Sequence, residues 1–171
     1  MSRTMEAVGL DFIERAPLQL TFNADMAAPP DRVYAALADD LATWTWFPTL
    51  TGGHTLSERR EEVGARCEVH IGGLTAIETI LAAEPGRRWT YRVTELPIPL
   101  ASALVEDWVL TPVPASSTRP LGTHVAYTFA LDPRPLAAYL TTISAASIAA
   151  VFGKAASNLD RMLADQATRV G

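Results

Sequence analysis

A single cysteine, Cys67, stands in the whole chain, which excludes an internal disulfide and any multi-cysteine metal site. The three histidines, His54, His70 and His124, are far apart and show no ligand spacing such as HxxxH, so no metal site is expected. Basic residues are few as well. Lysine and arginine total 14 against 19 aspartates and glutamates, a formal charge of −5, and they do not cluster on any expected element. Phosphate backbones find little to attract them, so no nucleic-acid partner is expected. Long hydrophobic runs are missing too. Residues 1–16 carry Arg3, Glu6, Asp11, Glu14 and Arg15 and leave no apolar stretch for a secretory signal. The stretch 136–152 is rich in alanine and broken by Thr141, Thr142, Ser144 and Ser147, which falls short of a membrane span. A cytoplasmic protein is the expectation. GxSxG, a phosphate loop, GxGxxG and a credible Cys–His pair are all lacking, so the familiar nucleophilic and nucleotide mechanisms lack their parts, and no cofactor is expected.

What is present is an apolar content of 49% in 171 residues, enough for one globular domain. No repeat or linker divides the chain. The reading is a single domain over 17–167, preceded by a segment 1–16 that is a short helix or loose, with Phe12 and Ile13 able to dock it.

The segment 64–95, GARCEVHIGGLTAIETILAAEPGRRWTYRVTE, carries the most information. Gly72-Gly73 is a two-residue hairpin loop, and Pro85-Gly86 supplies the fixed φ and positive φ of a second turn. Counting outward places Ile71 opposite Leu74, Val69 opposite Ala76, Cys67 opposite Glu78 and Ala65 opposite Ile80. The second hairpin then sets Ala82 against Trp89, Ile80 against Tyr91 and Glu78 against Val93. With a side-chain period of two, one face is dry and holds a lone glutamate, Glu78. The other, with Arg66, Glu68, His70, Thr75, Thr79, Arg88, Thr90 and Arg92, is wet.

Around this core, residues 18–24 alternate with strand period, and Ala28-Pro29-Pro30-Asp31 opens a short helix running to about Ala38. Residues 39–44 begin a second helical turn that closes at Pro48. A weakly alternating edge strand is read over 54–60. Residues 96–102, LPIPLAS, form an apolar loop suited to a lid, because its two prolines cannot serve a central ladder. Strand period returns at 104–111, with the Glu106 and Trp108 side taken as inward, and again at 124–131, separated by an exposed loop over 112–122. The period then changes to 3.6. Leu136, Tyr139, Leu140, Ile143, Ile148, Val151, Phe152, Leu159, Met162 and Leu163 form one stripe of a long final helix.

The residues Ala28-Pro29-Pro30-Asp31-Arg32-Val33-Tyr34 with Leu37-Ala38-Asp39, then Trp44 to Pro48, Gly64-Ala65-Arg66, Gly72-Gly73, Glu78, Glu84-Pro85-Gly86-Arg87-Arg88 and Tyr91-Arg92-Val93 carry a resemblance. In their order they resemble the helix-grip fold of the START-like (SRPBCC) superfamily, in its polyketide cyclase/dehydrase branch, over about residues 18–163. The resemblance implies an α+β fold: a curved antiparallel sheet of about six or seven strands wrapped around a long C-terminal helix, with two short helices after the first strand. It also implies a hydrophobic cavity between sheet and helix. Functions across that superfamily include lipid transfer, hormone sensing, aromatic-ring cyclisation and co-chaperone activity, so fold does not settle function.

Glu78 is the sharpest candidate for chemistry. A carboxyl on a dry face resists ionisation and can donate a hydrogen bond or shuttle a proton, with Tyr91 orienting a ligand carbonyl; the plain alternative is a satisfied structural glutamate. Glu106 and Tyr127 add polar groups. Trp89, Trp108, Phe129 and Phe152 offer apolar walls, Cys67, Val69 and Val93 the dry face beside Glu78, and Trp46 and Phe47 an entrance. Three readings follow: binding of a hydrophobic small molecule, lipid-like, aromatic or polyketide-like; a polyketide cyclase/dehydratase with Glu78 as acid/base; and a protein-interaction module of co-chaperone type. The first needs only a cavity and is preferred. A homodimer through the exposed face of the sheet is left open.

Overall fold

The computed structural model describes residues 3–116 and 121–170, with the side chains of 135–144 and 170 outside that description. The elements run β1 (Arg3–Thr4), α1 (Phe12–Arg15), β2 (Leu18–Met26), α2 (Pro30–Ala38), a 3-10 turn (Leu41–Thr43), β3 (Leu50–Thr55), β4 (Arg66–Ile71), β5 (Leu74–Glu84), β6 (Arg88–Leu96), β7 (Ala101–Val113), β8 (Gly122–Pro133) and α3 (Pro135–Val170). The sheet is antiparallel in the order β2-β8-β7-β6-β5-β4-β3, with the short β1 added to β6. This is the expected α+β helix-grip architecture. No described helix is long and apolar enough to cross a membrane.

The hydrophobic core lies between the concave face of the sheet and the two longer helices. From α3 it takes Phe152, Ala155, Ala156, Leu159 and Leu163, and from α2 Val33, Tyr34, Leu37 and Ala38. Alanines at the contact let α3 approach closely while Phe152 and Leu159 fill the space beside them. Of the expected helical stripe, Ile148, Val151 and Met162 are half-buried. Leu136, Tyr139, Leu140 and Ile143 fall outside the described side chains.

The first hairpin has the register that counting predicts: Ile71 with Leu74, Val69 with Ala76 and Cys67 with Glu78. Gly72 and Gly73 both take positive φ, 56° and 81°, as a type I′ turn requires. The second hairpin departs from the expectation near its turn. Its loop has three residues, so Glu84 pairs with Arg88 and Ala82 with Thr90, not with Trp89. A bulge at Leu81 absorbs the extra residue, and beyond it Ile80 meets Tyr91 and Glu78 meets Val93, as expected. Two offsets of one residue cancel, and the inward direction of Glu78 survives.

Three further expectations need correction. The edge strand lies at Leu50–Thr55 rather than over 54–60. The charged run leaves the sheet there, and Arg60 turns inward to 7% exposure. The loop at 96–102 is shorter and pinned: Met5 donates its backbone N–H to Thr94 O and Glu6 to Ser102 O, and Leu96 and Ala101 are buried with Met5. Finally, the outer face is not uniformly wet. Phe12 and Ala16 cover Ala103, Val105 and Ala130, and Thr79, Thr90 and Asp107 are buried. Asp107 accepts from Arg88 Nε at 2.8 Å, Arg88 Nη2 at 3.0 Å and Thr90 Oγ1 at 2.6 Å. That bidentate pair satisfies the buried carboxylate.

Candidate functional site

Strand pairing brings three polar side chains to one point on the concave face. Tyr91 on β6 is the direct cross-strand partner of Glu106 on β7, and Tyr127 on β8 pairs with Trp108, two residues along from Glu106 on the same face. Direct and diagonal neighbours on one face are within side-chain reach. Both phenolic hydroxyls accordingly donate to the same oxygen, Glu106 Oε2, each at 2.6 Å. Burial raises the Glu106 carboxyl, and the two tyrosine hydroxyls oppose that rise. Burial likewise lifts both phenols well above their ordinary range, with the Glu106 charge adding to it, so they keep their protons.

Glu106 and Tyr127 are also part of the wall of a cavity of about 260 Å³, with Phe47, Thr49, Ile71, Phe129, Ser147, Ile148, Val151 and Phe152. The Tyr127 ring stacks on Phe152 with centroids 5.3 Å apart and planes 7° apart. From α3, Ser147 and Val151, and Ile148 and Phe152, are one helical turn apart and present a single face to the cavity. Exposed Ser147 stands at its rim. Larger hollows of about 650 and 480 Å³ lie along the outside of α2 and α3, but their walls carry Arg59, Glu61, Arg161, Asp165 and Arg169. Of these three, the smaller, apolar cavity has the character of a small-molecule site.

Behind this wall lies a second polar group. Glu78 is 9% exposed and forms no hydrogen bond among the described residues. Burial pushes its carboxyl up to about 8; the Glu106 charge adds to the rise and the Arg60 guanidinium opposes it. At neutral pH Glu78 therefore holds its proton. Arg60 lies over Trp44 and Trp89, 4.9 Å from each ring centroid. It donates to Leu37 O at 2.7 Å and to Asp39 O, which caps the C-terminus of α2. Cys67, buried beside it, has its thiol raised mainly by burial.

Of the residues singled out from sequence, the structure gathers Phe47, Glu106, Tyr127, Phe129 and Phe152 at the cavity. Trp46, Cys67, Val69, Trp89 and Trp108 are packed in the core behind it, and Val93 belongs to a separate apolar cluster with Leu96 and Leu104. Tyr91 lies behind Glu106, and neither it nor Glu78 is part of the cavity wall. Trp44 and Trp46 are sealed at 3% exposure, and Asn158 on α3 donates to Trp46 O at 3.1 Å. Sequence reasoning did not name Thr49, Ile71, Ser147, Ile148, Val151 or Arg60 as site residues. Ile71 was on the dry face and Ile148 and Val151 on the helical stripe, so those signals were present; the charged run 58–62 hid Arg60. Among the described residues no group of His, Cys, Asp or Glu is placed to hold a metal ion.

Comparison with known proteins agrees with this fold. Uncharacterized proteins of Mycobacterium tuberculosis and Mycobacterium bovis are 29% identical over 110 residues, 64% of this chain and 66% of theirs. The match thus spans just under two thirds of those relatives. Among solved structures, a protein of Nitrosospira multiformis superposes with a TM-score of 0.64 at 18% identity, over 85% of this chain and 96% of that one. A protein of Thermus thermophilus gives 0.64 at 13% identity, over 87% and 99%. DynU16, from the dynemicin biosynthetic locus, gives 0.60 at 20% identity, over 85% of this chain and 46% of that one. These likenesses establish the fold. Residues 18–164 match the family described as polyketide cyclase/dehydrase and lipid transport, and the chain belongs to that family.

Proposed function

We propose that this protein encloses one small, largely apolar molecule in the cavity between β8, the β3–β4 edge and α3. The observation that carries the reading is an apolar cavity of about 260 Å³ with a single carboxyl, Glu106, in its wall. An apolar cavity of about 150 Å³ holds a benzene, so this one suits a bicyclic ring or a short branched chain. Aromatic walls supply most of the affinity, and the carboxyl orients the ligand. The family description, which includes lipid transport, supports a binding role.

A cyclase or dehydratase is the second reading, favoured by the proton that Glu78 retains near neutrality. Against it, Glu78 is not in the cavity wall, and Tyr91, its expected partner, has its hydroxyl committed to Glu106. Binding is therefore the better-supported role.

The test is an NMR titration with naphthalene of the wild-type protein and of Val151→Trp, which fills the cavity from α3. Saturable shifts in the wild type that vanish in the folded variant support the proposal. Binding that survives Val151→Trp, or no binding to either protein, contradicts it.

A further inference from the structure

The polar groups in the cavity wall, Glu106 and Tyr127 among them, restrict the ligand class. This inference rests on the cavity being the binding site. A tyrosine hydroxyl has one proton, and Tyr91 and Tyr127 both give theirs to Glu106 Oε2 at 2.6 Å. With those protons committed, the Tyr127 hydroxyl offers the cavity lone pairs only. Two charge-assisted donors on Oε2 stabilise the ionised form of Glu106 and oppose the rise that burial brings. Glu106 Oε1 meets no protein donor among the described residues, so it too is a free acceptor.

The remaining polar groups do not reverse this balance. Thr49 and Ser147 in the wall carry hydroxyls that donate or accept equally well and so select nothing. The indole N–H of Trp108 has no partner among the described residues, yet Trp108 is 1% exposed and outside the wall. Glu78 also lies outside it. The wall of an otherwise apolar chamber thus presents acceptors, with one charge, to whatever enters.

We propose that the protein selects ligands bearing a hydrogen-bond donor, a phenol or other hydroxyl on a bicyclic-sized apolar body, and discriminates against ketones, aldehydes and ethers of the same shape. A hydroxyl entering here gives its proton to Glu106 Oε1. A carbonyl or ether oxygen of the same size meets lone pairs and leaves Glu106 Oε1 desolvated and without a donor.

The experiment is a calorimetric or NMR titration of the whole protein at pH 7 with naphthalene, 2-naphthol, 2-methoxynaphthalene and 2-naphthaldehyde, followed by the first three with Glu106→Gln. The expected result is 2-naphthol binding at least about tenfold more tightly than the ether or the aldehyde, the value of one charge-assisted hydrogen bond at its low end. In Glu106→Gln, whose amide brings N–H donors, the preference for naphthol over the ether collapses. Should that variant fail to fold, the wild-type series decides alone. If the ether or aldehyde binds as well as naphthol while naphthalene still binds, donor selection is overturned and the cavity reading stands. If no compound binds, naphthalene included, the cavity reading fails and this proposal with it.

Discussion

Tyr91 and Glu106 face each other directly across the β6–β7 ladder, and the Tyr91 hydroxyl donates to Glu106 Oε2 at 2.6 Å. Tyr127 completes the arrangement from β8, its ring 4.5 Å from that of Trp108. Three adjacent strands therefore hold one carboxylate in the wall of an apolar cavity. No loop is needed to position it, so the acceptor is pre-organised.

Removing either hydroxyl strips a donor from the half-buried Glu106 carboxylate. Tyr91→Phe and Tyr127→Phe are each expected to cost about 1.5–3 kcal/mol in urea unfolding at pH 7. The double variant should depart from additivity, because both hydroxyls serve one oxygen. Additive losses below about 0.5 kcal/mol would mean that Glu106 is solvated in solution.

Glu78 sets a pH dependence of stability. Burial and the Glu106 charge raise its carboxyl in the folded state to about 8, against the opposing pull of the Arg60 guanidinium; in an unfolded chain it titrates at about 4.3. Between those values the folded state binds a proton that the unfolded state has lost. Stability from this group is fully present below the unfolded value and is lost as pH rises through the folded one. Glu78→Gln should flatten the decline in stability between pH 5 and 8, a difference of a few kcal/mol, since each pH unit between the folded and unfolded values is worth roughly 1.4 kcal/mol. Parallel curves for wild type and variant would show that Glu78 is ionised and solvated.

Arg60 is a structural cation held by two carbonyls and two indole faces. Arg60→Met keeps much of the volume but removes the donors from Leu37 and Asp39 and the charge beside Glu78. Denaturant unfolding should show a loss of about 3 kcal/mol, and the Glu78 transition should move upward because the opposing charge is gone. Arg60→Lys should recover only part of the stability, since an ammonium cannot stack between both rings.

Phe12 carries the cover of the outer face. Phe12→Ala is expected to cost about 3 kcal/mol and to increase amide exchange around Val105 and Ala130, on which it packs. Unchanged exchange at those strands would mean that residues 3–16 leave the sheet in solution.

Much of this fold could be read from two glycine turns and two periodicities. Gly72-Gly73 gave a correct register because both residues take positive φ and admit a two-residue loop. Pro85-Gly86 was one residue short, yet the Leu81 bulge restored the facing of Glu78. A turn motif names the bend but not every residue in it, and a bulge leaves no periodic trace. Burial of Arg60 was invisible because a run of charges reads as solvated unless a helix C-terminus and two tryptophans await one of them. The cavity was only half legible for a related reason. Periodicity distinguishes the dry face from the wet one, whereas the difference between Phe129, at the cavity, and Trp108, behind it, is one of depth.

The central claim, that the interior cavity holds a small molecule, is tested most directly by native mass spectrometry of the purified protein, paired with extraction of the small molecules it releases on denaturation. The account predicts a population heavier than the bare chain by one compact, largely apolar compound, which is lost in Val151→Trp. A native mass equal to the bare chain that stays so after incubation with 2-naphthol and naphthalene would contradict it.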